Sequence, residues 1–185
     1  TLAAPCHTSN FYKRKAKDMK NTLFEAFDNG TFKTPAATVS FADIPWSNHP
    51  IYEGVALKHL VTAKDTDEQF SYHLVHIASG KSIESHIHET QCETHEVIAG
   101  SGSCICQGAV ISYCMGTISV MPASVAHEVH AGAEGLCLFA KFMPALCFFV
   151  HSTVGRRHFW YALGVSLTIL RKQRSKWLWS QKPAA

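Results

Sequence analysis

The stretch that decides the reading of this chain is Gly80-Lys81-Ser82-Ile83-Glu84-Ser85-His86-Ile87-His88-Glu89-Thr90-Gln91-Cys92-Glu93-Thr94-His95-Glu96-Val97-Ile98-Ala99-Gly100. His86 and His88 are two residues apart. On a β-strand that spacing turns both imidazoles to one face, as a shared metal ion requires. Glu93 follows after a strand bend, where its carboxylate can reach back toward the same point. A fourth donor has to come from elsewhere in the chain. His127 is the best candidate, because it follows a strand-and-turn segment running from Gly116 to Pro122. Three imidazoles and one carboxylate suit one divalent transition metal ion: Fe(II), Mn(II), Ni(II), Cu(II) or Zn(II). Four protein donors on a six-coordinate ion leave two positions for water, oxygen or substrate.

Outward from this stretch, the chain is a series of short β-forming runs separated by turn residues. They are Val55–Thr62, Phe70–Ala78, Ile83–His88, Glu93–Ala99, Ser103–Cys106, Val110–Tyr113, Thr117–Met121, Ala126–His130 and Leu136–Phe142. Turns are expected at Asp65-Thr66-Asp67, Ser79-Gly80, Gly100-Ser101-Gly102, Gly116 and Ala131-Gly132. Many short strands at this spacing predict an all-β sandwich or jelly roll. The gaps leave no room for the crossover helices of a parallel α/β sheet.

The motif stretch resembles the first motif of the cupin family, Gly-x5-His-x-His-x(3,4)-Glu-x6-Gly. Gly80, His86, His88, Glu93 and Gly100 occupy its fixed positions. The second cupin motif, Gly-x5-Pro-x-Gly-x2-His-x3-Asn, is met by Gly116, Pro122 and His127. Ser124 stands in place of its second glycine and Ala131 in place of its asparagine. The resemblance covers residues 41 to 145. It implies an antiparallel jelly-roll barrel (a double-stranded β-helix, as in RmlC-like cupins) with His86, His88, Glu93 and His127 holding a metal ion at its open end. A homodimer is the usual assembly of that family.

Around this centre, strand alternation places His95 and Val97 on the face of Glu93, so His95 is expected to line the pocket. It sends Val129 inward and His130 outward. On Phe70–Ala78, either Tyr72 with His76 or His73 could face the cavity, and the Tyr72 face is the one expected to do so. Cys92 is adjacent to Glu93 in the chain, which disfavours it as a second ligand.

Residues 1–40 form an N-terminal extension, with a short helix around Asn21–Phe27 in which Leu23, Phe24 and Phe27 share a face. Asp28-Asn29-Gly30 ends that helix. The chain starts at Thr1, and Met19 is a candidate natural start. Residues 146–185 form a C-terminal extension in which Phe159–Leu170 reads as a helix, packed on the barrel or across a dimer. It is too short to span a bilayer, so membrane contact is not expected beyond a surface-lying alternative.

The 185 residues suit one domain, with 46% apolar and 17% charged side chains. A formal net charge of +3 gives no footprint for nucleic acid, and no helix-turn-helix pattern accompanies the barrel. Seven cysteines without paired spacing read as reduced thiols of a cytoplasmic protein, and the first twenty residues, basic and polar without an apolar run, do not read as a secretory signal. The partner implied is a small-molecule ligand or substrate. Three functions fit these features. The first is a metal-dependent oxygenase, lyase or isomerase acting on a small polar molecule chelated to the ion. The second is a non-catalytic binding or sensing module. The third is a membrane-peripheral or assembly protein relying on the C-terminal helix.

Overall fold

The computed structural model of the protein describes residues 23–146. The expected C-terminal helix lies outside them. A short helix covers 23–28 and a turn follows at Asn29. The strands are β1 (Thr31–Lys33), β2 (Thr38–Ser40), β3 (Ser47–Asn48), β4 (Val55–Val61), β5 (Ser71–Ile77), β6 (Ser82–His86), β7 (Cys92–Cys106), β8 (Ala109–Cys114), β9 (Ile118–Met121) and β10 (His127–Met143). β1 and β2 form a hairpin, and the other eight strands form one antiparallel system. The all-β, antiparallel expectation holds.

Two strands organise this system. β7 has 15 residues and β10 has 17. Each was expected as two strands with a turn between them. The first half of β7 pairs with β9 and with the second half of β10, which also pairs with β5; β4 and β3 continue that sheet. The second half of β7 pairs with β8 and with the first half of β10, which also pairs with β6. β7 and β10 therefore belong to both sheets, and turn from one to the other at a common corner.

Glycine makes that corner possible. Gly100 and Gly135 have positive φ, +74° and +76°. A Cβ on Gly100 would lie 2.1 Å from the carbonyl oxygen of Gly135, and one on Gly102 would lie 2.2 Å from that of His130. The ladder shifts register between Ala131 and Leu136. Each strand also changes which residues face inward. In β7 the inward set passes from Glu93, His95 and Val97 to Cys104 and Cys106; in β10 it passes from His127 and Val129 to Leu136, Leu138, Ala140 and Phe142. The glycine clusters that resemble turns are bulges inside continuous strands, where only a residue without a side chain fits between the two backbones.

The main core lies between the sheets and includes Val55, Val75, Ile77, Val97, Tyr113, Met121, Val129, Leu136 and Leu138. A second apolar cluster covers the outer face of the first sheet. Leu60, Leu74, Ile98 and Phe139 meet Phe41 there, and Leu23, Phe24, Phe32 and Trp46 pack against them. Phe27 meets Phe139 edge to face at 4.6 Å. Burying an aromatic or aliphatic side chain in this way contributes about 1.5–3 kcal/mol. A polar latch pins the same segment. Lys58, whose side chain is 4% exposed, reaches the Asp28 carboxylate at 2.5 Å, and Trp46 Nε1 donates to that carboxylate at 2.9 Å. Among the described cysteines, Cys92, Cys104, Cys106 and Cys137 are free thiols and Cys114 is disulfide-bonded, so the expectation of reduced thiols throughout does not hold.

Replacing Gly100 by Ala should destabilise the protein by about 2–4 kcal/mol, because the new Cβ meets backbone at a left-handed residue. Urea unfolding of the variant beside the parent measures this. A change below about 0.5 kcal/mol would mean that the corner relaxes freely.

Candidate metal centre

The corner brings the two halves of the site together. Glu93 is near the start of β7 in the first sheet, while His127 opens β10 in the second. His86, the last residue of β6, is the cross-strand partner of His127, and their ring centroids are 4.3 Å apart. His88 follows just beyond β6, its ring 4.9 Å from that of His86 and 5.6 Å from that of His127. One donor atom from each of His86, His88, Glu93 and His127 lies within 4.8 Å of the others, and all four residues are buried.

Glu93 stands at the centre of this set. Its Oε2 accepts from His127 Nε2 at 2.9 Å and stands 3.1 Å from His88 Nε2. The His88 contact is not aligned as a hydrogen bond, and both ring nitrogens of His88 are buried without a hydrogen-bond partner. Two imidazoles are oriented from behind by carbonyls. His86 Nδ1 donates to Glu84 O at 2.9 Å and His127 Nδ1 donates to Val125 O at 3.2 Å. Each bond leaves Nε2 to face the cluster, the usual way a histidine ligand is held. The donor chemistry and the unpartnered His88 nitrogens both fit a divalent transition metal.

No protein-family model and no curated protein matches the chain. Solved structures do match. A predicted oxalate decarboxylase from Thermotoga maritima superposes with a TM-score of 0.52 at 17% identity, over 56% of this chain and 95% of that one. The polyketide cyclase RemF from Streptomyces resistomycificus gives 0.51 at 15%, over 72% and 98%. A cupin-2 domain from Rhodospirillum rubrum gives 0.50 at 10%, over 80% and 87%.

The chain has the cupin fold.

The departures from the second cupin motif can now be read in place. Ser124 has φ +63°, a left-handed conformation that glycine adopts at no cost. Its backbone N–H donates to His88 O at 2.8 Å and its hydroxyl donates to Glu89 O at 2.9 Å. These bonds tie the loop before His127 to the loop that carries His88, and they offset the strain. Ala131 donates its N–H to Lys81 O at 3.0 Å, a backbone bond that does not need the asparagine side chain of the motif.

The cluster opens on a cavity of about 60 Å³, room for a handful of water-sized groups. Leu57, Val75, Ile83, Leu138, Phe142 and Leu146 make most of its wall, and His95 lines it beside Glu93. Tyr72 and His76 do not line it. They lie on the outer face of β5, where Tyr72 donates to Glu96 Oε2 at 2.7 Å and packs near Phe139 at 5.1 Å. His73, Val75 and Ile77 are the buried, inward face. Leu74 explains the reversal, because it packs outward beneath the N-terminal segment. Both faces of β5 are therefore apolar, and alternation cannot tell them apart. His73 itself sits behind Phe142, at 5.6 Å, and is out of reach of the cavity.

The cavity also has two polar members that strand patterns do not reveal, His49 and Tyr52. They come from the loop between β3 and β4 and stack at 4.6 Å. His49 Nδ1 accepts the N–H groups of Ile51 and Tyr52, both at 3.2 Å, so the neutral ring carries its proton on Nε2. The only signal in the sequence is a histidine in a proline-bounded loop.

Burial controls the protonation of these groups. It pushes His49 down to about 4. It pushes His86 down to about 3, helped by repulsion from His127 and His88 and opposed by Glu93. His73 also falls to about 3, first through burial and then through His59. Burial alone would raise Glu93, but the neighbouring imidazoles of His95 and His88 and the bond from His127 hold it well below the carboxylate range. Burial likewise opposes protonation of His127, and the Glu93 carboxylate outweighs it, leaving His127 raised. His127 Nε2 cannot both donate to Glu93 and coordinate an ion, so ion binding there exchanges a proton for the cation.

These shifts predict the acid response of the metal-free protein. The unfolded state protonates His49, His73 and His86 near pH 6.5, while the folded state resists down to about 3–4. The unfolded state thus binds more protons in that window, and stability falls as pH drops from 6.5 toward 4. His59, lowered by burial, acts in the same direction, while His127, raised by the Glu93 carboxylate, works the other way. Thermal unfolding of the metal-free chain between pH 4 and 8 should show this loss, and His73→Leu should flatten it. A parent Tm that stays level from pH 7 to pH 4.5 would contradict it.

Proposed function

We propose that this protein is a metal-dependent enzyme of the oxygenase, lyase or isomerase type, acting on a small molecule whose oxygen atoms chelate the ion. The observation that carries the reading is His88. It is a buried imidazole with neither nitrogen in an aligned hydrogen bond, placed among three other donors and lining a cavity. Leaving such a group unsatisfied costs about 1–3 kcal/mol, a penalty that coordination removes. A bound divalent ion would supply Lewis-acid or oxygen-activating chemistry.

The chain's own residues set the rest. His86, His88, Glu93 and His127 hold one side of the site. The apolar wall from Leu57 to Leu146 excludes water and favours a ligand with a short apolar body behind its oxygen-bearing end, rather than a uniformly polar one. His49, neutral and with its proton on Nε2, offers a donor to a carbonyl or carboxylate oxygen. Tyr52, whose hydroxyl burial and the Glu84 charge push up to about 12, stays protonated; its hydroxyl donates to Glu84 O at 3.4 Å and presents its oxygen as an acceptor.

One observation favours a non-catalytic binding module as the second reading. Among the described residues that line the cavity, Glu93 is the only carboxylate, so proton transfer would fall to His49 or Tyr52.

Protein purified without a metal-affinity step should carry one transition-metal ion per chain by elemental analysis. His127→Ala should weaken binding of that ion by at least about a hundredfold with the far-ultraviolet circular dichroism unchanged. Metal-free protein that also fails to take up Fe(II), Mn(II), Ni(II), Cu(II) or Zn(II) would refute the reading. Screening small carboxylates, enols and diols against the loaded protein then separates the two functions. An enzyme consumes its ligand, and a binding module shows only a saturable change in the spectrum of the ion.

A further inference from the structure

We propose that His95 is a positioning residue that makes Glu93 a one-oxygen ligand, by engaging Oε1 from behind and leaving Oε2 to face the imidazoles. The inference rests on the metal reading above and adds to it a residue outside the four donors. His95 is two residues beyond Glu93 on β7, on the same inward face, and is 3% exposed. Its Nε2 lies 2.8 Å from Glu93 Oε1. Glu93 Oε2, by contrast, is the oxygen close to His88 and His127. The two oxygens of one carboxylate are thus assigned to different neighbours.

The direction of the hydrogen bonds follows from chemistry. An ionised carboxylate only accepts, so His95 Nε2 donates to it. Nδ1 of the same ring lies 2.8 Å from the Tyr113 hydroxyl. With the ring proton on Nε2, Nδ1 accepts from the Tyr113 hydroxyl. Ser119 Oγ stands 2.5 Å from that hydroxyl, behind it in the core. Tyr113 is 2% exposed and Ser119 is 6% exposed. The line Tyr113 to His95 to Glu93 is therefore dry, and each donor points toward the carboxylate. It fixes the ring of His95 in one tautomer and one orientation, and through the ring it fixes the carboxylate.

The consequence concerns the positions left on the ion. A carboxylate that binds through both oxygens would occupy an extra position. Holding Oε1 back keeps the protein donors at four and leaves two positions of a six-coordinate ion for a ligand facing the cavity. His95 thereby acts on the openness of the site without touching the ion.

The test uses the full chain and Cu(II). Affinity is measured by competition with a chelator, and the electronic environment by electron paramagnetic resonance. His95→Leu removes the donor and should weaken Cu(II) binding about ten- to a hundredfold, with a changed spectrum. His95→Gln, whose amide can still donate to Oε1, should stay within about threefold of the parent and keep its spectrum. A folded His95→Leu variant with parental affinity and spectrum would overturn the proposal. If His95→Leu does not fold, Tyr113→Phe takes its place, because it frees the His95 ring to change tautomer. A shifted Cu(II) spectrum in that variant supports the proposal, and an unshifted one overturns it. If the parent binds no Cu(II) or any other divalent ion, the metal reading of the cluster fails, and the role of His95 fails with it.

Discussion

The ladder between β7 and β10 is the constraint on which the rest of this structure depends. Each strand serves two sheets, and their mutual pairing runs from Cys106 opposite His127 to Cys92 opposite Met143. Because the pair bends at a single glycine corner, residues far apart along each strand are folded to face one another. Glu93 is contributed by one sheet and His127 by the other, so the site exists only where the sheets close over each other. The packing that stabilises the core and the geometry that gathers the donors are the same event. A substitution at the corner would therefore disturb the donor set even though Gly100 lies well away from it in sequence.

The electrostatic plan of the interior is simple. One carboxylate sits among His86, His88, His95 and His127, all of them buried. A lone buried anion would be neutralised by protonation, and neighbouring imidazoles prevent that here. The arrangement also divides the histidines by role. Burial and the neighbouring imidazoles lower His86, while the Glu93 carboxylate raises His127. His95 differs from both, since it is paired with Tyr113 on its far side and belongs to the support of the site.

Much of this was legible in the sequence, and the reasons for the misses are physical. His86, His88, Glu93 and His127 could be named because strand alternation and the two cupin motifs agree on them. The short helix before Gly30 could be named because Leu23, Phe24 and Phe27 recur on one face. The long strands were not legible, because Gly-Ser-Gly has the same composition in a turn and in a bulge, and only the opposing Gly135 distinguishes the two. The face of β5 was misjudged because a second apolar cluster makes its outer side as hydrophobic as its inner one. His49 and Tyr52 could not be placed at all, since a loop carries no periodicity from which to project a direction.

The outer cluster has one more consequence. The two motifs and every candidate donor lie between Gly80 and His127, and a chain cut to begin at Phe41 would retain all of them. It would also lose Leu23, Phe24, Phe27 and Phe32, together with the carboxylate of Asp28 that neutralises Lys58. Phe139 and Leu74 would then face water, and a buried ammonium would stand without its counter-ion. The unit that folds is thus larger than the unit that carries the chemistry. The segment before the barrel serves as part of its wall, and a shortened chain would tend to aggregate through that bared sheet face.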